Sequence, residues 1–292
     1  MRRHRSRWRP AAWPAALALL GACASSPRPV PPVSPEPTAT HHTGKFVWYD
    51  LLAHDVEGVK RFYGELFGWQ FTTDPEGDSL YTVILRDGRP VAGIAHVERP
   101  ELSQWLSWLS VDDVDRAVQY VRDRGGAVHR DARDLPDRGR YAIVSDPQGA
   151  PFVLVRSSTG DPADAEPAFN GWLWTELWTH DTEAAMAFYE GLVAYRREAF
   201  DAGLNREYHV MWVGDRPRAG VGRLELEGVQ PNWLPYIRVD EPAATVARVE
   251  ALGGRVIIAP SEDARGGSLA VILDPSGGAV ALQRWPLDEG GQ

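Results

Sequence analysis

The chain has 292 residues, with 31 lysines and arginines against 40 acidic residues and a formal net charge of −9. That length suits about two ordinary domains, and the acidity argues against nucleic acid or another polyanion as partner. Cys23 is the only cysteine, which excludes an intramolecular disulfide and any cysteine-built zinc site.

Residues 1–22 read as an export signal. Arg2, Arg3, Arg5, Arg7 and Arg9 form a basic start, and the apolar run Ala15–Ala22 is too short to span a bilayer. Removing this segment takes five arginines, leaving 26 basic against 40 acidic residues, or −14. The segment closes in Leu20-Gly21-Ala22-Cys23, which resembles a bacterial lipobox. That resemblance implies a lipid anchor at Cys23 and a membrane-anchored envelope lipoprotein facing the periplasm or the exterior. Residues 23–43 carry Pro27, Pro29, Pro31, Pro32, Pro35 and Pro37, a composition that predicts an extended spacer unable to bury a core. His41 and His42 belong to that tether rather than to a ligand set.

From Phe46 the pattern becomes strand, helix, strands. Phe46–Leu52 is rich in β-formers, and Asp55 is placed to cap a helix running to Phe67, with Val56, Val59, Phe62, Tyr63 and Leu66 on one stripe. Strands follow at 69–72, Tyr81–Arg86 and 91–97, with a hairpin turn at Asp87-Gly88. A second unit has strands at 105–111, 127–130, 141–145 and 152–156, and a helix from Val114 to Arg124 that stops at Gly125-Gly126. Asp146-Pro147-Gln148-Gly149 fits a type I turn.

All of this recurs 126 to 128 residues later. Trp48-x-Asp50 returns as Trp174-x-Glu176, Phe62-Tyr63 as Phe188-Tyr189, Tyr81 as Tyr208, Trp105 as Trp233, and Asp146-Pro147-x-Gly149 as Asp274-Pro275-x-Gly277. A repeat of that period is a whole domain. The reading is α+β, four βαβββ modules in two tandem domains at 44–157 and 170–287, joined by a linker over 158–169 and followed by a tail at 288–292. Phe62-Tyr63-Gly64-Glu65-Leu66-Phe67-Gly68-Trp69 and the two Asp-Pro-x-Gly turns resemble the vicinal oxygen chelate superfamily, the group of glyoxalases, bleomycin-resistance proteins and extradiol dioxygenases. The resemblance spans about residues 45–286. It implies paired modules curling round a pocket, where the enzymes of the group hold a divalent metal on His, Glu or Gln.

Those ligand positions fall here on Trp48, Leu106, Trp174, Leu234, Val153 and Ala281, or on Trp105 and Trp233 if the register of the second and fourth modules slips by one. None is a metal ligand, and a catalytic metal needs about three, so neither metal nor cofactor is expected. Asp50 and Glu176 share a strand face with Trp48 and Trp174. They are the candidate catalytic or ligand-holding acids, since a carboxylate in an apolar barrel has a raised pKa, although each could instead hydrogen-bond backbone or pair with an arginine. Trp48, Trp108, Trp174, Tyr236, His96 and His209 are the remaining candidates for ligand contact. His209 stands where the first half has Thr82, which predicts two pockets that are not equivalent. The favoured reading is a metal-free binder of a small hydrophobic or aromatic molecule. The alternatives are a lyase, isomerase or dioxygenase using a metal or Asp50 or Glu176, and an inert structural or interaction module.

Overall fold

The computed structural model describes residues 30–73, 81–200 and 208–286. The expected signal, Cys23 and the expected tail lie outside these residues. The first half runs β1 (Phe46–Ala53), α1 (Val56–Phe67), β2 (Gln70–Thr73), β3 (Tyr81–Arg86), β4 (Arg89–His96), β5 (Gln104–Ser110), α2 (Val114–Asp123), β6 (Ala127–Leu135), β7 (Gly139–Ser145) and β8 (Pro151–Ser157). The second runs β9 (Trp172–Thr179), α3 (Thr182–Val193), β10 (Arg196–Ala199), β11 (Tyr208–Val213), β12 (Arg216–Arg223), β13 (Asn232–Arg238), α4 (Pro242–Val249), β14 (Arg255–Ile258), β15 (Leu269–Leu273) and β16 (Ala279–Gln283). These are two tandem α+β domains of four βαβββ modules, and most boundaries fall within two residues of those expected. β6 runs five residues longer than its sequence suggests.

Each half is one eight-stranded sheet, ordered β2-β3-β4-β1-β5-β8-β7-β6 and β10-β11-β12-β9-β13-β16-β15-β14. Neighbouring modules therefore pair, one with two and three with four, through the antiparallel contacts β1–β5 and β9–β13. Helix starts follow the sequence: Asp55 accepts from the Gly58 N–H at 2.8 Å, and Asp181 from that of Ala184 at 2.9 Å. The helix ends differ. Gly68 closes α1 in the left-handed region at φ 72°, whereas Ala194 takes the same conformation at φ 55° after α3.

One apolar core joins the halves. It contains Phe62, Tyr63, Trp105 and Leu109 from one half and Phe188, Tyr189, Trp233 and Ile237 from the other. Two reciprocal relays cross it. Trp105 Nε1 donates to Tyr63 Oη (3.0 Å), whose hydroxyl donates to Asp274 (3.1 Å); Trp233 Nε1 donates to Tyr189 Oη (2.9 Å), whose hydroxyl donates to Asp146 (3.1 Å). The Asp-Pro-x-Gly turns thus do more than reverse the chain. Asp274 is pushed up to about 6 by burial, against the N–H groups of Gly278 and Ser276 and the Tyr63 hydroxyl that it accepts from.

With one face of each sheet given to this shared core, the other face is free to line a site. Trp48, Leu52, Leu106, Trp108, Ile143, Val153 and Val155 form a separate cluster in the first half, and Leu234, Tyr236, Leu269, Val271 and Ala281 form another in the second. β11 and β14 stand near opposite ends of their sheet order yet border one cavity, so the sheet is curled into a bowl.

Candidate functional site

Strand alternation places equivalent side chains on the two bowl floors. The first has Trp48 and Asp50 on β1, Tyr81 on β3 and Trp108 on β5; the second has Trp174 and Glu176 on β9, Tyr208 on β11 and Tyr236 on β13. An arginine enters each from the turn between the sixth and seventh strands of the half, the buried Arg138 in one and Arg265, its side chain 9 % exposed, in the other. Arg138 stacks over Trp48, 4.0 Å from the ring centre, and over Trp108 at 5.1 Å; Arg265 lies 5.4 Å from the Tyr208 ring and 5.6 Å from that of Tyr236.

One methylene separates their chemistry. The longer Glu176 reaches its arginine: Arg265 Nη2 donates to Oε1 at 2.6 Å and Nη1 to Gln283 at 2.6 Å. Tyr208 also donates to Oε1 (2.8 Å), Trp178 Nε1 donates to Oε2 (3.2 Å), and the Tyr236 hydroxyl donates to Oε2. Burial works against the Arg265 charge, but the Glu176 carboxylate together with the Tyr236 and Tyr208 oxygens outweighs it and holds the guanidinium above the ordinary arginine range. Tyr208 and Tyr236 are raised by burial and by the same carboxylate, so both stay protonated donors. Asp50 instead accepts from Trp48 Nε1 (2.8 Å) and from the Tyr81 hydroxyl (2.7 Å), and no hydrogen bond joins it to Arg138. Burial raises the Asp50 carboxyl, against the pull of the Arg138 charge and of these hydrogen bonds.

The two bowls also differ in access. The second has a small cavity of about 50 Å³ that opens to solvent, bordered by Glu176, Trp178, Tyr208, Arg223, Tyr236, Ile258, Arg265 and Leu269 among others. In the first, residues expected to be spacer are docked. Val33 is 2 % exposed and belongs to the bowl cluster, Ser34 is buried, and the Pro31 carbonyl accepts from Arg138 Nε at 2.7 Å. Thr38 and His42 are fixed in turn, through Thr159 and through the fully buried Asp161 of the expected linker. A proline-rich strand supplies carbonyls and apolar rings without N–H groups that need partners, so its composition suits docking as well as free extension. The extended-spacer expectation is corrected over residues 30–43.

Of the six superfamily ligand positions, Trp48, Leu106 and Val153 lie in the first bowl cluster, and Leu234, Ala281 and the partly buried Trp174 lie in or against the second. Trp105 and Trp233 point into the shared core, which fixes the register. Trp174 Nε1 donates to Tyr208 Oη at 3.1 Å. His209 corrects another expectation. Tyr208 takes the bowl face, so His209 alternates to the helix side, with Nε2 3.9 Å from Glu183 on α3. His96 is half-buried at the end of β4, on the alternation of the core residue Ile94 rather than of Gly93. Sequence reasoning missed Arg138 and Arg265 because their offset runs one residue out of step with the 128 of their surroundings. It saw Tyr81 and Tyr208 only as a repeated pair.

A metal does not fit this donor set. Asp50 and Glu176 are already committed to tyrosine, tryptophan or arginine donors, Asp263 also borders the second cavity, and among the described residues no three His, Cys, Asp or Glu converge as a metal group would need. The sequence profile of the glyoxalase/bleomycin resistance protein/dioxygenase superfamily matches residues 41–154. CFP32 of Mycobacterium tuberculosis, which bears a glyoxylase name, is 34 % identical over 241 residues, covering 80 % of this chain and 92 % of its own. The anthracycline biosynthesis protein DnrV of Streptomyces peucetius is 32 % identical over 258 residues, 82 % of this chain and 92 % of that one. Among solved structures, the Mn(II)-bound glyoxalase of Novosphingobium aromaticivorans has a TM-score of 0.57 at 14 % identity, covering 84 % of this chain and 82 % of that one. Homoprotocatechuate 2,3-dioxygenase of Brevibacterium fuscum has a TM-score of 0.58 at 14 % identity over 88 % and 86 %. The chain belongs to the glyoxalase/bleomycin resistance protein/dioxygenase superfamily, with two tandem domains of that fold.

Proposed function

We propose that the second half is a metal-free binding pocket for a small aromatic molecule bearing hydroxyl or carbonyl oxygens, carried by an envelope lipoprotein anchored at Cys23. The observation that carries this reading is the open bowl over Glu176, where the superfamily's ligand positions are Trp174, Leu234 and Ala281, none of them a metal ligand, and the polar floor is a pre-set cluster. Tyr208 and Tyr236 have spent their protons on Glu176 and keep lone pairs for a ligand hydroxyl. Trp178, Ile258 and Leu269 supply apolar walls, and Arg223 stands at the rim. A few placed polar groups in an apolar wall are the usual make-up of a small-molecule site. The name of DnrV, in anthracycline biosynthesis, supports a flat ring system as the ligand class.

The test is a tryptophan-fluorescence titration of the mature protein with catechol, 1,4-naphthoquinone and a hydroxyanthraquinone. At least one is expected to bind saturably, and Ile258→Trp, which fills the cavity from its wall, weakens that binding tenfold or more. Binding untouched by Ile258→Trp, or no binding by any of the three, contradicts the pocket. Metabolic labelling with a fatty-acid analogue tests the anchor: wild type incorporates it and Cys23→Ser does not.

A further inference from the structure

The first bowl holds a group whose chemistry nothing yet described uses. Arg138 is 0 % exposed, its Nε donates to the Pro31 carbonyl, and its two terminal amino groups donate to nothing among the described residues. A buried guanidinium with unspent donors is costly and normally finds a partner. In the second bowl that partner is the Glu176 carboxylate, but Asp50 is one methylene shorter and turns its oxygen to Trp48 and Tyr81. The first floor is therefore built like the second with one carboxylate contact missing. Val33 packs into the cluster that contains Trp48, Leu106 and Val153, and two residues before it the Pro31 oxygen already occupies one Arg138 donor.

We propose that Pro31–Ser34 is a self-ligand closing a second binding site, one that takes a small aromatic carboxylate when the segment leaves. The carboxylate would meet the paired amino groups of Arg138 in a fork, the geometry in which arginine binds such groups best. Its ring would replace Val33 against Trp48 and Trp108. The Pro31 carbonyl, a neutral acceptor, is the weaker competitor for the same guanidinium. Ligand and segment exclude one another, so the apparent affinity of the site is its intrinsic affinity reduced by the open fraction, and binding frees the residues that lead towards the N-terminus.

Isothermal titration of the mature protein with benzoate, before and after opening the segment, tests this. Val33→Lys puts a second cation into the bowl that holds the unspent Arg138 guanidinium, where a 2 %-exposed valine sat, and should expel the segment and add one benzoate site per chain relative to wild type. Val33→Ala, a milder change that preserves the fold, should raise the apparent affinity of that site by about tenfold. Adding Arg138→Gln to either variant should abolish the gained site, and a synthetic peptide of residues 29–36 should compete with benzoate on Val33→Lys. No gain in either Val33 variant overturns the proposal, as does a gained site that survives Arg138→Gln. Val33 and Arg138 do not border the second pocket, so the difference from wild type isolates the first bowl whatever the second one binds.

Discussion

Replacing Glu176 by Gln keeps the shape of the second floor and removes the negative charge paired with Arg265. Glu176 is 2 % exposed and the Arg265 side chain 9 %, with 2.6 Å between their charged atoms, so water cannot take over the counter-ion role. Breaking a buried pair by neutralising one member costs roughly 3–5 kcal/mol, because the other charge stays buried and unpaired. Against the 5–15 kcal/mol stability common to folded proteins, that is a loss visible in any denaturation curve. The arginine should be the source of the cost, so Glu176→Gln with Arg265→Met should recover most of it. Asp50→Asn in the first half is the internal control. Asp50 makes no hydrogen bond to Arg138 and burial already favours its neutral form, so the substitution should cost about 1 kcal/mol or less. Urea unfolding followed by tryptophan fluorescence measures all four proteins. A Glu176→Gln variant within 1 kcal/mol of wild type, or an Asp50→Asn variant as damaged as Glu176→Gln, would refute the claim that the two floors differ in how their arginines are paired.

Asp274 predicts a pH dependence. Its folded-state value of about 6 lies above the ordinary 3.8, so its contribution is fully present below the ordinary carboxylate range and is lost as pH rises through 6. The difference corresponds to roughly 3 kcal/mol. Stability measured from pH 4 to 7 should therefore fall for wild type relative to Asp274→Asn, and a relative rise would contradict the assignment. Ala194 occupies a left-handed position that Gly68 fills in the first half. Ala194→Gly should stabilise by about 1 kcal/mol, and thermal unfolding would show a higher midpoint; a lower one would mean that the end of α3 is not strained.

The doubling of the chain was legible because turns, caps and large rings are local signals. Asp55 and Asp181 cap where their spacing says, and Trp48-x-Asp50 and Trp174-x-Glu176 fall on one strand face by simple alternation. The same alternation would have removed His209 from the bowl once Tyr208 was placed in it, but nothing local says which of two adjacent strand residues faces inward. What the sequence withheld was tertiary. Arg138 and Arg265 sit on turns, where charged residues are ordinarily solvated, and only the curl of the sheet carries them over the acids. The docking of Val33 depends on a bowl made by residues from 47 to 155, while its own neighbourhood is proline-rich and reads as a tether. Asp146 and Asp274 looked like turn residues and are also acceptors across the shared core.

The account rests on a pocket whose polar floor works without a metal. Elemental analysis of the purified, untagged mature protein, joined to titration of the best ligand in excess EDTA, tests that directly. The expected result is less than about one-tenth of a metal equivalent per chain and an affinity that EDTA leaves unchanged, since among the described residues no three His, Cys, Asp or Glu converge as a metal site needs. Stoichiometric zinc, manganese, nickel or iron, with ligand binding that EDTA abolishes and metal restores, would contradict it.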